Sequence, residues 1–143
     1  MKAQKFLDIF PITDTSTLDL LHEKTFLRQG ITWPEAEIKL LHSITDSALC
    51  NNTGSLLCCK QDDIPLSAVL FLSDDRTAYY MFGATDPDYR NTGAGTYTLL
   101  SAIRHYYEKG FKEIDFLGAN SPQRGDYKTS FDADLKPYII ASI

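Results

Sequence analysis

The chain has 143 residues, of which 43% are hydrophobic and 23% charged, a balance typical of one folded domain and unlike that of a disordered or collagen-like chain. Its formal net charge is −5, which disfavours a nonspecific nucleic-acid surface or an anionic-membrane surface, because both require a basic field. We therefore expect a single domain over residues 1–143 that binds neither DNA nor a membrane.

The N-terminal part of the sequence predicts a strand followed by two helices. Phe6–Ile12 is a short apolar run closed by a proline, which is typical of a strand. Several N-cap residues in Thr13–Ser16 then precede a helix that ends at Gly30. Pro34 stands at a natural first position for a second helix. Leu18, Leu21 and Thr25 share one face of the first helix. In the second helix, Glu37, Leu41, Ile44 and Ala48 follow the helical spacing, and three of these four are available to pack.

Three runs of strand-forming residues come next. Asn51–Gly54 ends the second helix, and the predicted strands are Ser55–Lys60, Leu66–Leu72 and Thr77–Gly83. Because a parallel crossover needs about a dozen residues, strands joined by such short links are expected to be antiparallel neighbours. This part of the chain therefore predicts a meander.

The cysteines do not have the spacing of a disulfide framework or of a zinc site. They are odd in number, and Cys58 and Cys59 are adjacent on one predicted strand, so we expect one of them in the core and the other at the surface. Asp8 interrupts the apolar core that a secretory signal would need, and no run of about 18 apolar residues occurs. We expect a cytoplasmic protein with reduced thiols and no bound metal.

The second part of the chain predicts a parallel β-α-β unit. A polar stretch, Ala84–Thr92, leads into a helix that ends at Gly110, and the run Lys112–Leu117 returns to strand character. The helix face expected to pack is formed by Thr96, Leu99, Leu100, Ile103 and Tyr107. A loop over Gly118–Gly125, one helical turn over Asp126–Phe131 and a last strand over Pro137–Ile143 complete the prediction. The fold class is therefore α/β, with a mixed sheet in which an antiparallel meander precedes the parallel unit.

The stretch Asp86–Gly95, between a predicted strand and a predicted helix, has the composition of an anion-binding turn. Its glycines allow close approach of the backbone to a ligand, and the free N–H groups at a helix start bind phosphate with help from the helix dipole. Residues 1–89 carry 7 Lys and Arg against 13 Asp and Glu, whereas residues 90–143 carry 7 against 6, so an anion is expected in the second segment. The candidate ligand-binding residues are Arg90, Asn91, Thr92, Gly93, Ala94, Gly95 and Thr96.

This stretch resembles the acetyl-CoA-binding signature of the GNAT acyltransferase superfamily, Arg/Gln-x-x-Gly-x-Gly/Ala. The predicted order of strand, two helices, meander, signature, helix and parallel strand is the GNAT order over most of the chain. The resemblance implies a GNAT-like fold and acetyl-CoA, or another acyl-CoA, as cosubstrate. It also implies that the loop amides bind the pyrophosphate and that the pantetheine arm lies between two splayed strands, near Tyr79–Gly83 and Ile114–Leu117.

A narrower resemblance is to the GNAT branch that contains FemABX-type aminoacyl transferases and BioF-type acetyltransferase domains. It is carried by Thr25–Gly30 and by Asp115-Phe116 with the later run Tyr127–Phe131. Asp132 stands where that branch usually has a glycine, and its members usually have two GNAT-like halves. The chain would then correspond to the C-terminal half of a longer protein, or a homodimer would supply the second half.

Acyl transfer to an amine requires a base for the amine proton and an acid for the departing thiolate. Asp115, near the end of the last parallel strand, is the candidate base, and a loop cap or a solvated carboxylate is its alternative role. Tyr127 is the candidate acid, with simple packing as the alternative. The FemABX resemblance implies that Lys128 stabilises the oxyanion, whereas a lysine beside aspartates also forms ordinary surface ion pairs.

The sequence thus predicts an N-acyltransferase that moves an acyl group from CoA to an amine of a small-molecule or peptide acceptor. Two alternatives stay open. One is a FemABX-type enzyme that takes its aminoacyl group from tRNA, although the acidic charge opposes RNA binding. The other is a noncatalytic module that binds CoA or a partner protein.

Overall fold

The computed structural model describes residues 8–13, 15–30, 32 and 34–117. These residues form a mixed five-stranded sheet with helices on both faces. Its elements in chain order are β1 (Asp8–Pro11), α1 (Ser16–Gln29), α2 (Glu35–Cys50), β2 (Gly54–Gln61), β3 (Ile64–Ser73), β4 (Thr77–Thr85), a 3-10 helix (Pro87–Thr92), α3 (Ala94–Glu108) and β5 (Glu113–Asp115).

The sheet order confirms the predicted fold class. The strands lie in the order β1-β2-β3-β4-β5; β1 to β4 are antiparallel to their neighbours, and β5 is parallel to β4. The hairpin between β2 and β3 turns at Asp62 and Asp63, which both have positive φ, as a tight hairpin turn with the twist of its strands requires. The meander and the parallel unit are therefore both present as predicted.

The predicted helix boundaries hold to within a residue or two. Gly30 follows α1 in the left-handed conformation, with φ of 70°, and its N–H bonds to the carbonyl oxygens of Leu27 and Phe26. Pro34 is the N-cap of α2 rather than its first helical residue, because its ψ of 135° is extended. None of the helices in the described part of the chain is both long enough and apolar enough to span a membrane.

Each face of the sheet is covered by helices. Leu56, Ala68 and Leu70 pack with residues of α1 and α2, and Leu57, Val69 and Phe71 pack with residues of α3. The prediction that one of Cys58 and Cys59 lies at the surface is wrong, since both are fully buried. The two side chains do point to opposite faces, but both faces are covered, so alternation does not bring either of them to solvent.

The packing face of α3 differs from the predicted one. Leu99 is buried and Ile103 packs against the core, but Leu100 and Tyr107 are 40% and 77% exposed. The residues of α3 that are buried instead follow a spacing of four: Ala94, Thr98, Ala102 and Tyr106. Small residues on this line let the helix approach the sheet, which a search for large apolar residues does not detect.

Candidate active site

The turn between β4 and α3 is ordered by its own side chains. The predicted loop is in fact a 3-10 helix, Pro87–Thr92, preceded by the buried residue Asp86. Asp86 is its N-cap, because Oδ1 of Asp86 accepts the N–H of Asp88 at 3.0 Å. Gly93, with φ of 81°, then ends the 3-10 helix and begins α3. An aspartate before a proline is typical of such a start, and the left-handed φ explains the glycine.

Only some of the main-chain amides at the start of α3 have an acceptor within the described residues. The N–H of Ala94 donates to Oγ1 of Thr92 at 3.2 Å, and the N–H of Tyr97 donates to the carbonyl of Gly93 at 2.9 Å. Between them, the N–H groups of Gly95 and Thr96 have no acceptor among the described residues. Because these two amides belong to the first turn of a helix, they are available to an anion.

The electrostatics of this helix start also suit an anion. The first turn of α1 contains Asp19, and that of α2 contains Glu35 and Glu37, so a carboxylate balances the positive end of each helix dipole. The first turn of α3 contains no acidic residue. The positive end of this dipole is therefore not balanced by a side chain of its own first turn.

Gly95 allows α3 to lie directly against the end of β4. A Cβ atom at Gly95 would stand 2.8 Å from Oγ1 of Thr85, which also shares a hydrogen bond of 3.0 Å with Oγ of Ser67. Any side chain at this position would push the helix away from the strand. The glycine thus places the main-chain amides of Gly95 and Thr96 close to the carboxyl end of β4.

Within the described residues, the outer edge of β4 pairs with β5 over three positions. β5 pairs with Thr77–Tyr79, and no other described strand continues along that edge. The register between β3 and β4 shifts around Met81, which marks a bulge. The main-chain N–H of Asp86 donates to the carbonyl of Leu66 on β3. Because the main-chain groups of successive residues in an antiparallel strand point alternately toward and away from the neighbouring strand, those of Gly83 and Thr85 point away from β3. The main-chain groups of Gly83 therefore face the side of β4 on which β5 lies, and the carbonyl of Thr85 accepts from Oγ1 of Thr25 at 3.4 Å.

The structure locates only part of the predicted catalytic set. Asp115 is the last residue of β5; it is exposed, and its Oδ1 accepts the N–H of Leu117 at 2.7 Å. That bond is the loop cap that the sequence offers as the alternative role for Asp115. Tyr127 and Lys128 lie outside the described residues, as do the predicted last turn and the last strand.

A contact between α1 and the 3-10 helix has no local signal in the sequence. Nζ of Lys24 lies 2.8 Å from Oδ2 of Asp86, whose side chain is only 2% exposed. Burial raises the pKa of the Asp86 carboxyl, but the hydrogen bonds from Lys24 and Asp88 outweigh burial and hold the pKa below its ordinary value. One turn later on α1, Nη1 of Arg28 donates to the carbonyl of Pro87 at 3.1 Å. An open cleft of about 420 Å³ lies at this contact.

Other chemistry-bearing residues are accounted for by local structure. Burial raises the pKa of the Cys58 thiol to about 11, so this sulfur stays protonated at neutral pH. His42 bonds through Nε2 to the carboxylate of Asp19 at 2.7 Å, which ties α2 to α1. Over the described ranges, no group of three His, Cys, Asp or Glu side chains is arranged to hold a metal ion.

A family model agrees with the geometry. Residues 12–129 match the model described as the acetyltransferase (GNAT) domain, which covers most of the chain. No sequence among curated proteins gives a significant match.

Several solved structures share the fold. The aminoglycoside acetyltransferase meta-AAC0020 from an uncultured soil metagenomic sample, in complex with sisomicin, is 16% identical, with a TM-score of 0.68 over 98% of this chain and 96% of its own. A predicted acetyltransferase with acetyl-CoA from Clostridium acetobutylicum is 17% identical, with a TM-score of 0.68 over 95% of this chain and 96% of its own. AAC(6')-Iy, in complex with a bisubstrate analogue of CoA and acetylneamine, is 12% identical, with a TM-score of 0.69 over 96% of this chain and 97% of its own.

At these identities the structural likeness establishes the fold, and the family model establishes the class of protein. Both agree with the Arg90–Gly95 signature and with the sheet order. The chain therefore belongs to the acetyltransferase (GNAT) domain family and is an enzyme of the acetyltransferase class.

Proposed function

We propose that this enzyme transfers the acetyl group of acetyl-CoA to an amine of a small-molecule or peptide acceptor. The observation that carries the proposal is the pair of N–H groups, those of Gly95 and Thr96, left without an acceptor in the described structure at the start of α3. A diphosphate has the charge and the oxygen acceptors that these amides require. The family membership supplies the reaction class.

The binding residues proposed for CoA are those of the signature, from Arg90 to Thr96. Of these, Gly95 and Thr96 donate main-chain N–H groups to the diphosphate, Gly93 provides the left-handed turn, and Thr92 holds the Ala94 amide. The pantetheine arm then runs along the outer edge of β4 past Gly83, whose main-chain groups point away from β3. The parallel pair of strands supports this path, since β5 pairs with β4 at Thr77–Tyr79, just before Gly83.

The proposed reaction forms a bond between the acceptor nitrogen and the acetyl carbon and breaks the bond between that carbon and sulfur. The acceptor must lose a proton, which Asp115 receives directly or through water. Its bond to the Leu117 N–H leaves the carboxylate capacity for this proton, because a carboxylate has about four acceptor positions. The thiolate takes a proton from Tyr127, and Lys128 stabilises the negative oxygen of the intermediate.

Cationic polyamines are the acceptor class to test first. The structural relatives include enzymes solved with sisomicin and with an acetylneamine analogue. The net charge of −5 on this chain favours the approach of a polycation. The resemblance to FemABX-type aminoacyl transferases stays a prediction, and the same negative charge opposes the binding of tRNA.

Thermal unfolding with and without acetyl-CoA tests the proposed cosubstrate. A ligand at one hundred times its Kd adds about 2.7 kcal/mol to the free energy of unfolding, so the melting temperature of the wild type is expected to rise. Arg90→Glu, which reverses a charge in the signature, is expected to abolish the rise. Arg104→Glu is the matched control, because Arg104 is 81% exposed and pairs only weakly with Glu108. A wild-type melting temperature that no CoA ester changes would contradict the proposal.

A further inference from the structure

The buried carboxylate of Asp86 joins the phosphate-binding turn to helix α1. Its two oxygens have different partners: Oδ1 accepts the N–H of Asp88 at 3.0 Å, and Oδ2 accepts from Nζ of Lys24 at 2.8 Å. The first bond caps the 3-10 helix and the second reaches a residue 62 positions earlier in the chain. One side chain therefore fixes both the start of the 3-10 helix and its position against α1.

A second contact of the same helix strengthens this connection. Arg28 lies four residues after Lys24 and thus on the same face of α1. Its Nη1 donates to the carbonyl of Pro87 at 3.1 Å. The 3-10 helix is held by α1 at two neighbouring points, and it leads directly into Gly93 and the start of α3.

The energetics distinguish this pair from an ordinary surface ion pair. Lys39 and Glu35 also form an ion pair, but both side chains are more than three-quarters exposed, so that pair contributes little. The Asp86 side chain is 2% exposed, and removal of Lys24 would leave a buried carboxylate with the Asp88 N–H as its hydrogen-bond donor among the described residues and no cationic partner there. The ion pair between Lys24 and Asp86 therefore helps to fix the position of the turn. Its loss would lower the free energy of unfolding by more than one hydrogen bond contributes.

We propose that Lys24 and Asp86 are positioning residues for the CoA diphosphate. They hold the 3-10 helix so that the N–H groups of Gly95 and Thr96 converge on the diphosphate, and they do not touch the ligand themselves. This inference rests on the proposed function, because it assumes that the turn binds CoA. It predicts that a change in α1 alters affinity for ligands that contain a diphosphate and leaves affinity for the pantetheine arm unchanged.

Isothermal titration of CoA into the purified protein and its variants tests the inference. Asp86→Asn keeps an oxygen to cap the 3-10 helix but no longer attracts Lys24, and Lys24→Met removes the cation. Each variant is expected to bind CoA about tenfold more weakly than the wild type, which corresponds to about 1.4 kcal/mol. Lys24→Arg is expected to stay within about threefold of the wild type, because it retains the charged hydrogen bond.

The double variant separates positioning from simple loss of a residue. Lys24→Met alone leaves the Asp86 carboxylate buried without the cation of Lys24, whereas adding Asp86→Asn removes that charge. The double variant is therefore expected to unfold at a higher urea concentration than Lys24→Met alone, while its CoA affinity stays low. Lys39→Met, which disrupts only the exposed pair on α2, is the matched control and should bind CoA as the wild type does.

Acetylpantetheine, which lacks the diphosphate, provides the readout that a general loss of structure would not reproduce. Its Kd, measured by NMR titration, is expected to be the same for the wild type, Asp86→Asn and Lys24→Met. Equal losses of affinity for CoA and acetylpantetheine would overturn the inference, as would variants that bind CoA as tightly as the wild type. A wild-type protein that binds no CoA would instead overturn the proposed function, and this inference with it.

Discussion

Thr96→Glu is expected to abolish high-affinity CoA binding and to leave the free protein at least as stable as the wild type. A carboxylate about 5 Å from the diphosphate repels it by about 3 kcal/mol at an effective dielectric constant of about 20, which weakens binding more than about a hundredfold. The same carboxylate interacts favourably with the dipole of α3, whose first turn contains no acidic residue. Weaker CoA binding together with unchanged or higher stability of the free protein is the result expected for an anion site at the start of α3.

Calorimetric titration of CoA and urea unfolding of the free protein measure the two effects. Thr96→Gln is the matched control, since glutamine has the size of glutamate and no charge, and the main-chain N–H remains. It should bind CoA far more tightly than Thr96→Glu. If Thr96→Glu bound CoA as well as Thr96→Gln, the diphosphate would have to lie elsewhere.

Phe71→Ala is expected to produce the largest loss of stability, about 3–5 kcal/mol, in the free energy of unfolding. Phe71 is fully buried on the central strand β3, and its ring packs against Tyr80 at 5.5 Å and Tyr106 at 5.3 Å between centroids. Truncation would leave a cavity under α3 and remove two aromatic contacts. A loss of this size is a large part of the 5–15 kcal/mol of stability that is ordinary for a domain.

Urea denaturation followed by circular dichroism measures this loss. Phe71→Leu should lose less stability, because leucine fills most of the space. Tyr107→Ala is a control on α3, where the side chain is 77% exposed and its removal should change stability very little. Equal stability losses for Phe71→Ala and Tyr107→Ala would contradict the placement of the core between the sheet and α3.

Local signals in the sequence were enough to predict the order of the elements from β1 to β5. Gly30 ended α1 as predicted because only a residue tolerant of positive φ fits its conformation, and the short links between β2, β3 and β4 left no length for a parallel crossover. The Arg90–Gly95 signature likewise identified the turn, because Gly93 and Gly95 are each required by the backbone there.

Tertiary contacts account for what the sequence did not reveal. The face of α3 is set by the small residues Ala94, Thr98 and Ala102, whose burial depends on how closely the sheet approaches. Cys58 and Cys59 are both buried because helices cover both faces of the sheet, which alternation along one strand does not predict. In the same way, pairing of Lys24 with Asp86 joins positions 62 residues apart and has no local signal.

The proposal that the start of α3 binds the CoA diphosphate is tested most directly by the backbone amide spectrum of the protein. In a titration with CoA, the ¹H–¹⁵N signals of Gly95 and Thr96 are expected to shift most among the residues of α3, and acetylpantetheine, which lacks the diphosphate, should leave them in place. CoA binding that shifts other amides while those of Gly95 and Thr96 stay unchanged would contradict the account.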